Sequence, residues 1–138
     1  MKEKNEKGLE RINILTENAA HNYDQAIKLS NEYLDKYKND VYILLQLGFA
    51  YKKNKDYQNA IDVYDYILSI DSYNPIARLD LFDIYMETKQ YDVAKPILDE
   101  IFSSSLYKKE LESNREKYET ARELINNYIE VQKLKINA

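Results

Sequence analysis

The sequence predicts an all-α protein built as a helical-repeat array, and three observations carry that expectation. The first is a 34-residue spacing. Tyr23, Tyr57 and Tyr91 recur at it, as do Ala26, Ala60 and Ala94, while Leu47 returns as Leu81 and Tyr51 as Tyr85. A fixed period of this size belongs to stacked helical units, each burying its apolar face against its neighbours. The second is the scarcity of turn chemistry: two glycines and two prolines in 138 residues leave little for a β-rich fold. The third is that apolar residues inside each unit fall at helical spacing.

The first unit, residues 8–40, is degenerate. Its second half carries Tyr23 and Ala26, whereas its first half is interrupted by the polar Asn13 and Glu17. The second unit, 41–74, is the clearest. Leu44, Leu47, Gly48 and Tyr51 stand at offsets 0, +3, +4 and +7, one face of a helix. Asp56 suits the N-cap of a second helix, because its carboxylate can accept a free first-turn N–H. That helix shows Ala60, Ile61, Tyr64, Ile67 and Leu68 on one face and ends among Asp71, Ser72 and Asn74.

The third unit, 75–106, opens on Pro75, which a first helical turn accepts because its missing N–H has no partner there anyway. Leu81, Phe82 and Tyr85 repeat the apolar face, then Tyr91, Ala94, Leu98 and Ile101 follow. If Gln90 or Asp92 opens the second helix, Pro96 falls in or just beyond its first turn and is tolerated. The tail, 107–136, leaves the period and reads as one long helix. Leu111, Tyr118, Ala121, Ile125 and Tyr128 run near heptad spacing, with a polar run from Glu112 to Lys117. An array needs a terminal element that covers its last apolar face. This helix is the candidate cap, with binding to another subunit as the alternative.

These residues resemble the tetratricopeptide repeat, whose pattern W-x2-L-G-x2-Y, A-x3-F, P appears as Leu44-x2-Leu47-Gly48-x2-Tyr51, then Ala60-x3-Tyr64, then Ser72. It appears again as Arg78-x2-Leu81-Phe82-x2-Tyr85, then Ala94-x3-Leu98. Leu44 and Arg78 replace the Trp, Phe82 replaces the small residue, and neither unit ends in proline. The resemblance implies a right-handed array of about three helix pairs and a C-terminal cap in a single domain. It also implies a non-enzymatic protein-interaction module.

Composition narrows the classes further. A net charge of −4 disfavours a nucleic-acid reader, for which a basic stripe is expected. The absence of cysteine removes disulfides and thiolate metal sites. The N-terminal Lys/Glu mixture lacks the apolar core of a signal peptide, and no window approaches a membrane span. A cytoplasmic protein is the expectation. His21, the single histidine, falls in a turn, Ser103 to Ser105 have no neighbouring His, and Asp62 and Asp65 lie on a polar face. No phosphate loop, HExxH or calcium loop is present. The sequence predicts neither an active site nor a cofactor.

What the repeat core does not explain becomes the candidate site. Tyr42, Leu45, Gln46 and Phe49 share a flank of their helix away from Leu44 and Leu47, with Lys52 and Lys53 beside them. Ile76, Leu79, Asp83 and Met86 take the equivalent flank of the next unit, with Asp80 and Glu87 adjacent, and Ile12, Leu15 and Ala19 extend it in the first if that unit keeps the register. In the tetratricopeptide fold this flank lines a concave groove, so the resemblance implies an apolar, acidic-edged groove for a partner peptide or helix with basic flanks. The family's carboxylate clamp needs Lys, Arg and Asn where Leu45, Phe49, Leu79, Asp80 and Asp83 stand, so it does not carry over. Two functions stay open: an adaptor or chaperone-like module binding a protein partner, or a self-associating protein that buries its groove or tail helix between copies.

Overall fold

In the computed structural model, which describes residues 2–137, eight α-helices follow one another and no strand occurs among the described residues. They are α1 (Lys2–Ala19), α2 (Tyr23–Lys36), α3 (Val41–Lys53), α4 (Tyr57–Ile70), α5 (Pro75–Glu87), α6 (Tyr91–Ser103), α7 (Lys108–Ser113) and α8 (Arg115–Asn137). A 3-10 turn, Ser105–Tyr107, joins α6 to α7. This is an all-α helical-repeat fold.

The period is visible in the backbone. The three tyrosines that recur each open a second helix, at the start of α2, α4 and α6, and the recurring alanines are all fully buried. The turns between paired helices repeat as well. His21, Lys55 and Lys89 all adopt positive φ, at 62°, 59° and 59°. The residue after each donates its N–H five positions back: Asn22 to Glu17, Asp56 to Tyr51 and Gln90 to Tyr85, at 2.7–2.9 Å. This is the left-handed helix stop that satisfies end carbonyls, built here without glycine. The first unit, degenerate in its residues, carries the same stop as the other two.

Starts are specified by side chains. The Asp56 carboxylate accepts from Asn59 N–H and caps α4, and Asp40 accepts from Ile43 N–H and caps α3. Asn74 accepts from Ala77 N–H at 3.0 Å, directly ahead of Pro75 at the first position of α5. Pro96 lies within α6, which Gln90 opens, a little past the first turn.

The tail differs from the single helix read in the sequence. It is broken at Asn114, whose φ of −133° leaves helical space. The Asn114 side chain reaches back to the carbonyl and carboxylate of Glu110 at 3.3 and 3.2 Å, competing with the backbone as short amides do. The short α7 and the long α8 result.

Packing groups the chain into two compact units, the first ending at Asp80 and the second starting at Leu81, within α5. In the first unit, α1 packs on α2 and α3, α2 on α3, and α3 on α4. Ile14, Tyr33 and Ile43 form a core cluster with Leu29, Leu34 and Tyr37 against it. In the second, α6 contacts α7 and α8. Tyr118 is buried, tilts over Phe82 at 5.8 Å and donates its hydroxyl to Glu110 at 2.8 Å. Tyr91 meets Tyr128 edge-on at 5.1 Å.

Candidate functional site

Helical spacing explains how the first unit builds a groove. Positions 42, 45, 46 and 49 fall on one side of α3, while Leu44, Leu47 and Gly48 turn into the core. Leu15 and Ala19 of α1 face the same space, as do Ile76 and Asp80 of α5. The result is a cavity of about 610 Å³ lined by these residues together with Asn18, His21, Tyr23 and Lys53. Its floor is apolar: Leu15, Leu45 and Phe49 are half-buried, Tyr42 and Ile76 exposed.

Ring packing and amides stiffen the lining. Tyr23 meets Phe49 edge-on at 6.0 Å and stacks on His21 at 5.7 Å. Asn18, almost wholly buried, donates Nδ2 to the Gln46 carbonyl at 3.1 Å and to Gln46 Oε1 at 2.9 Å, tying α1 to α3. The Lys53 ammonium sits 5.5 Å from the Phe49 ring centre, and the Arg11 guanidinium 5.2 Å from that of Tyr42.

Asp80 is held from two sides. Its Oδ1 accepts from Lys52 Nζ at 3.3 Å and its Oδ2 from the Tyr64 hydroxyl at 2.6 Å. Both groups of the Lys52–Asp80 pair are only about one-fifth exposed.

Eight of the eleven residues expected at the site, Leu15, Tyr42, Leu45, Gln46, Phe49, Lys53, Ile76 and Asp80, line this one cavity. Asp83 and Glu87 do not; they line a separate hollow of the second unit with Phe82, Met86, Lys117, Thr120, Ala121 and Leu124. Asp83 there is bonded to Lys117 at 2.9 Å. Leu79 lines neither, and Ile12 is exposed outside the groove. The acidic edge expected along 80, 83 and 87 is therefore not continuous in this groove. The lining residues missed by sequence reasoning are Asn18, His21 and Tyr23. Asn18 could have been found, since it stands one turn from Leu15 on the same flank.

Among the described residues no group of His, Asp and Glu is arranged to hold a metal ion, and no helix is long and apolar enough to cross a membrane.

With this geometry in place, sequence comparison adds one finding. Residues 51–104 match the profile described as tetratricopeptide repeat. This stretch is similar to the tetratricopeptide repeat family. The match starts in the last turn of α3 and runs through α4, α5 and α6, so it takes in the second half of the 41–74 repeat and nearly all of the 75–106 repeat. Tetratricopeptide repeats generally mediate protein–protein interactions and are typically non-enzymatic. No curated protein matches the chain.

Proposed function

We propose that the protein is an adaptor or chaperone-like tetratricopeptide module that docks an apolar segment of a protein partner in the groove of its first unit. The observation that carries this reading is the convergence of Leu15, Tyr42, Leu45, Phe49 and Ile76 on one open cavity, all at least partly exposed. Apolar side chains that a fold gathers but does not bury are a contact surface. Covering a large apolar side chain contributes about 1.5–3 kcal/mol, so a few anchors suffice for binding of the groove type.

The test is capture of partners from native lysate by the intact chain and by a Leu45→Ala/Phe49→Ala variant whose circular dichroism matches the parent. Species held by the parent and lost by the variant support the reading; identical capture removes it. The second reading, self-association through α8, draws on its distal half, where Val131, Leu134 and Ile136 are 47%, 71% and 83% exposed. Sedimentation velocity over a range of concentrations separates the two, because a concentration-independent monomer excludes the second.

A further inference from the structure

Resting on the groove reading above, we infer that the partner segment carries a side-chain carboxylate, Asp or Glu, next to its apolar residues and set against Lys53. The groove's charge balance is the reason. Of the residues lining it, only Lys53 and Asp80 are formally charged at neutral pH. Asp80 has both carboxylate oxygens occupied from within the first unit, one by Lys52 and the other by Tyr64. A cation brought to Asp80 would also meet the Lys52 ammonium already held there.

Lys53 is the opposite case. It lies at the end of α3, exposed, with its ammonium over the Phe49 face, and among the described residues no carboxylate is paired with it. Its aliphatic stem belongs to the apolar surface while its charge stays in water. A segment that covers Phe49 strips part of that water away. The loss is offset when the segment supplies a carboxylate and is worsened when it supplies a second cation.

The partner's polarity is thus the reverse of the one expected from sequence. Asp80 reads as an acidic edge until its fixed partners are seen. The occupant is an internal segment with apolar anchors and an acidic neighbour, not a basic amphipathic one.

The test uses the intact chain and a set of short synthetic peptides that share a Leu/Phe apolar face, are acetylated and amidated, and differ only in flanking residues: Glu, Gln or Lys. Fluorescence anisotropy gives each affinity. The Glu peptide should bind about fivefold more tightly than the Lys peptide, the scale of a partly exposed charge pair, and the gap should shrink as salt is raised. In Lys53→Gln the preference for the Glu peptide over the Lys peptide should vanish.

Equal or tighter binding of the Lys peptide to the parent overturns the inference but leaves the groove reading standing, provided Leu45→Ser weakens all the peptides. A preference for Glu that survives in Lys53→Gln likewise overturns it. A Gln peptide with a free C-terminus that outbinds the amidated Glu peptide assigns the carboxylate to a chain end and overturns the side-chain source. If no peptide binds, or Leu45→Ser changes nothing, the groove reading fails and the inference falls with it.

Discussion

Gly48 and Tyr64 are in contact with no room between them: a Cβ built on Gly48 would stand 2.8 Å from two carbons of the Tyr64 ring. Both residues occupy positions of the tetratricopeptide pattern, and the contact shows what those positions do. Glycine lets α3 approach α4 until backbone meets ring. The ring cannot easily yield, because Tyr64 is wholly buried and its hydroxyl is bonded to Asp80 at 2.6 Å. Alanine at position 48 gains about 1 kcal/mol of helix propensity, but overpacking costs about 1–3 kcal/mol. Gly48→Ala is therefore expected to lower unfolding stability by about 1 kcal/mol in urea titrations. Combining it with Tyr64→Leu should recover part of the loss relative to Tyr64→Leu alone. A Gly48→Ala protein as stable as the parent would mean that the ring shifts freely.

Ser30 gives an effect of the opposite sign. It lies in α2 with no solvent exposure, and its Oγ has no hydrogen-bond partner. Burying a hydroxyl without a partner costs about 1–3 kcal/mol, and alanine fills nearly the same volume with better helix propensity. Ser30→Ala should raise the denaturation midpoint, by about 1 kcal/mol in free energy, with the m-value unchanged. A lower midpoint would reveal that the hydroxyl is satisfied after all.

The repeat is legible because its cause is local. The buried alanines at 26, 60 and 94 and the tyrosines that open each second helix follow from a single spacing, and the cap at Asp56 and the first-turn Pro75 follow from residue type alone. The left-handed stops at His21, Lys55 and Lys89 were not legible, because glycine is their usual sign and none is present. Asn114 was hidden inside a polar run. At the groove, helical spacing puts Tyr42, Leu45 and Phe49 on one side of α3, but the state of Asp80 depends on Lys52 and Tyr64, 28 and 16 residues away in sequence. A helical wheel ranks residues by direction along one helix. It carries no information on which carboxylates a neighbouring helix has already paired.

The stops also make a stability prediction. A side chain in left-handed backbone costs about 1–2 kcal/mol, and glycine avoids that cost at the expense of greater freedom in the unfolded chain. Lys55→Gly and Lys89→Gly are each expected to stabilise by about 0.5 kcal/mol, and the pair should be additive because each acts through the backbone of its own turn. Lys55→Val should destabilise, since a branched Cβ fits this region worst. Thermal melts of the series order the variants; a stabilised Lys55→Val would contradict the backbone assignment.

Tyr33 supplies a pH dependence. It is buried in the core of the first unit and donates to Asp40 Oδ2 at 2.5 Å, and Asp40 also caps α3. Burial first, then the bond to Asp40 and that carboxylate's charge, hold its phenol above the ordinary value of 10.0, while Arg11 acts weakly the other way. The folded state therefore keeps this proton at pH values where the unfolded chain releases it. The stabilisation is fully present below the unfolded value and is lost as pH rises beyond it, with a slope of at most about 1.4 kcal/mol per pH unit. Tyr33→Phe should be less stable at pH 7, by about 1 kcal/mol for the missing hydrogen bond. Its stability should also fall less steeply above pH 10 than the parent's. Urea titrations of both proteins across the alkaline range measure the two slopes, and parallel slopes would remove Tyr33 as the group responsible.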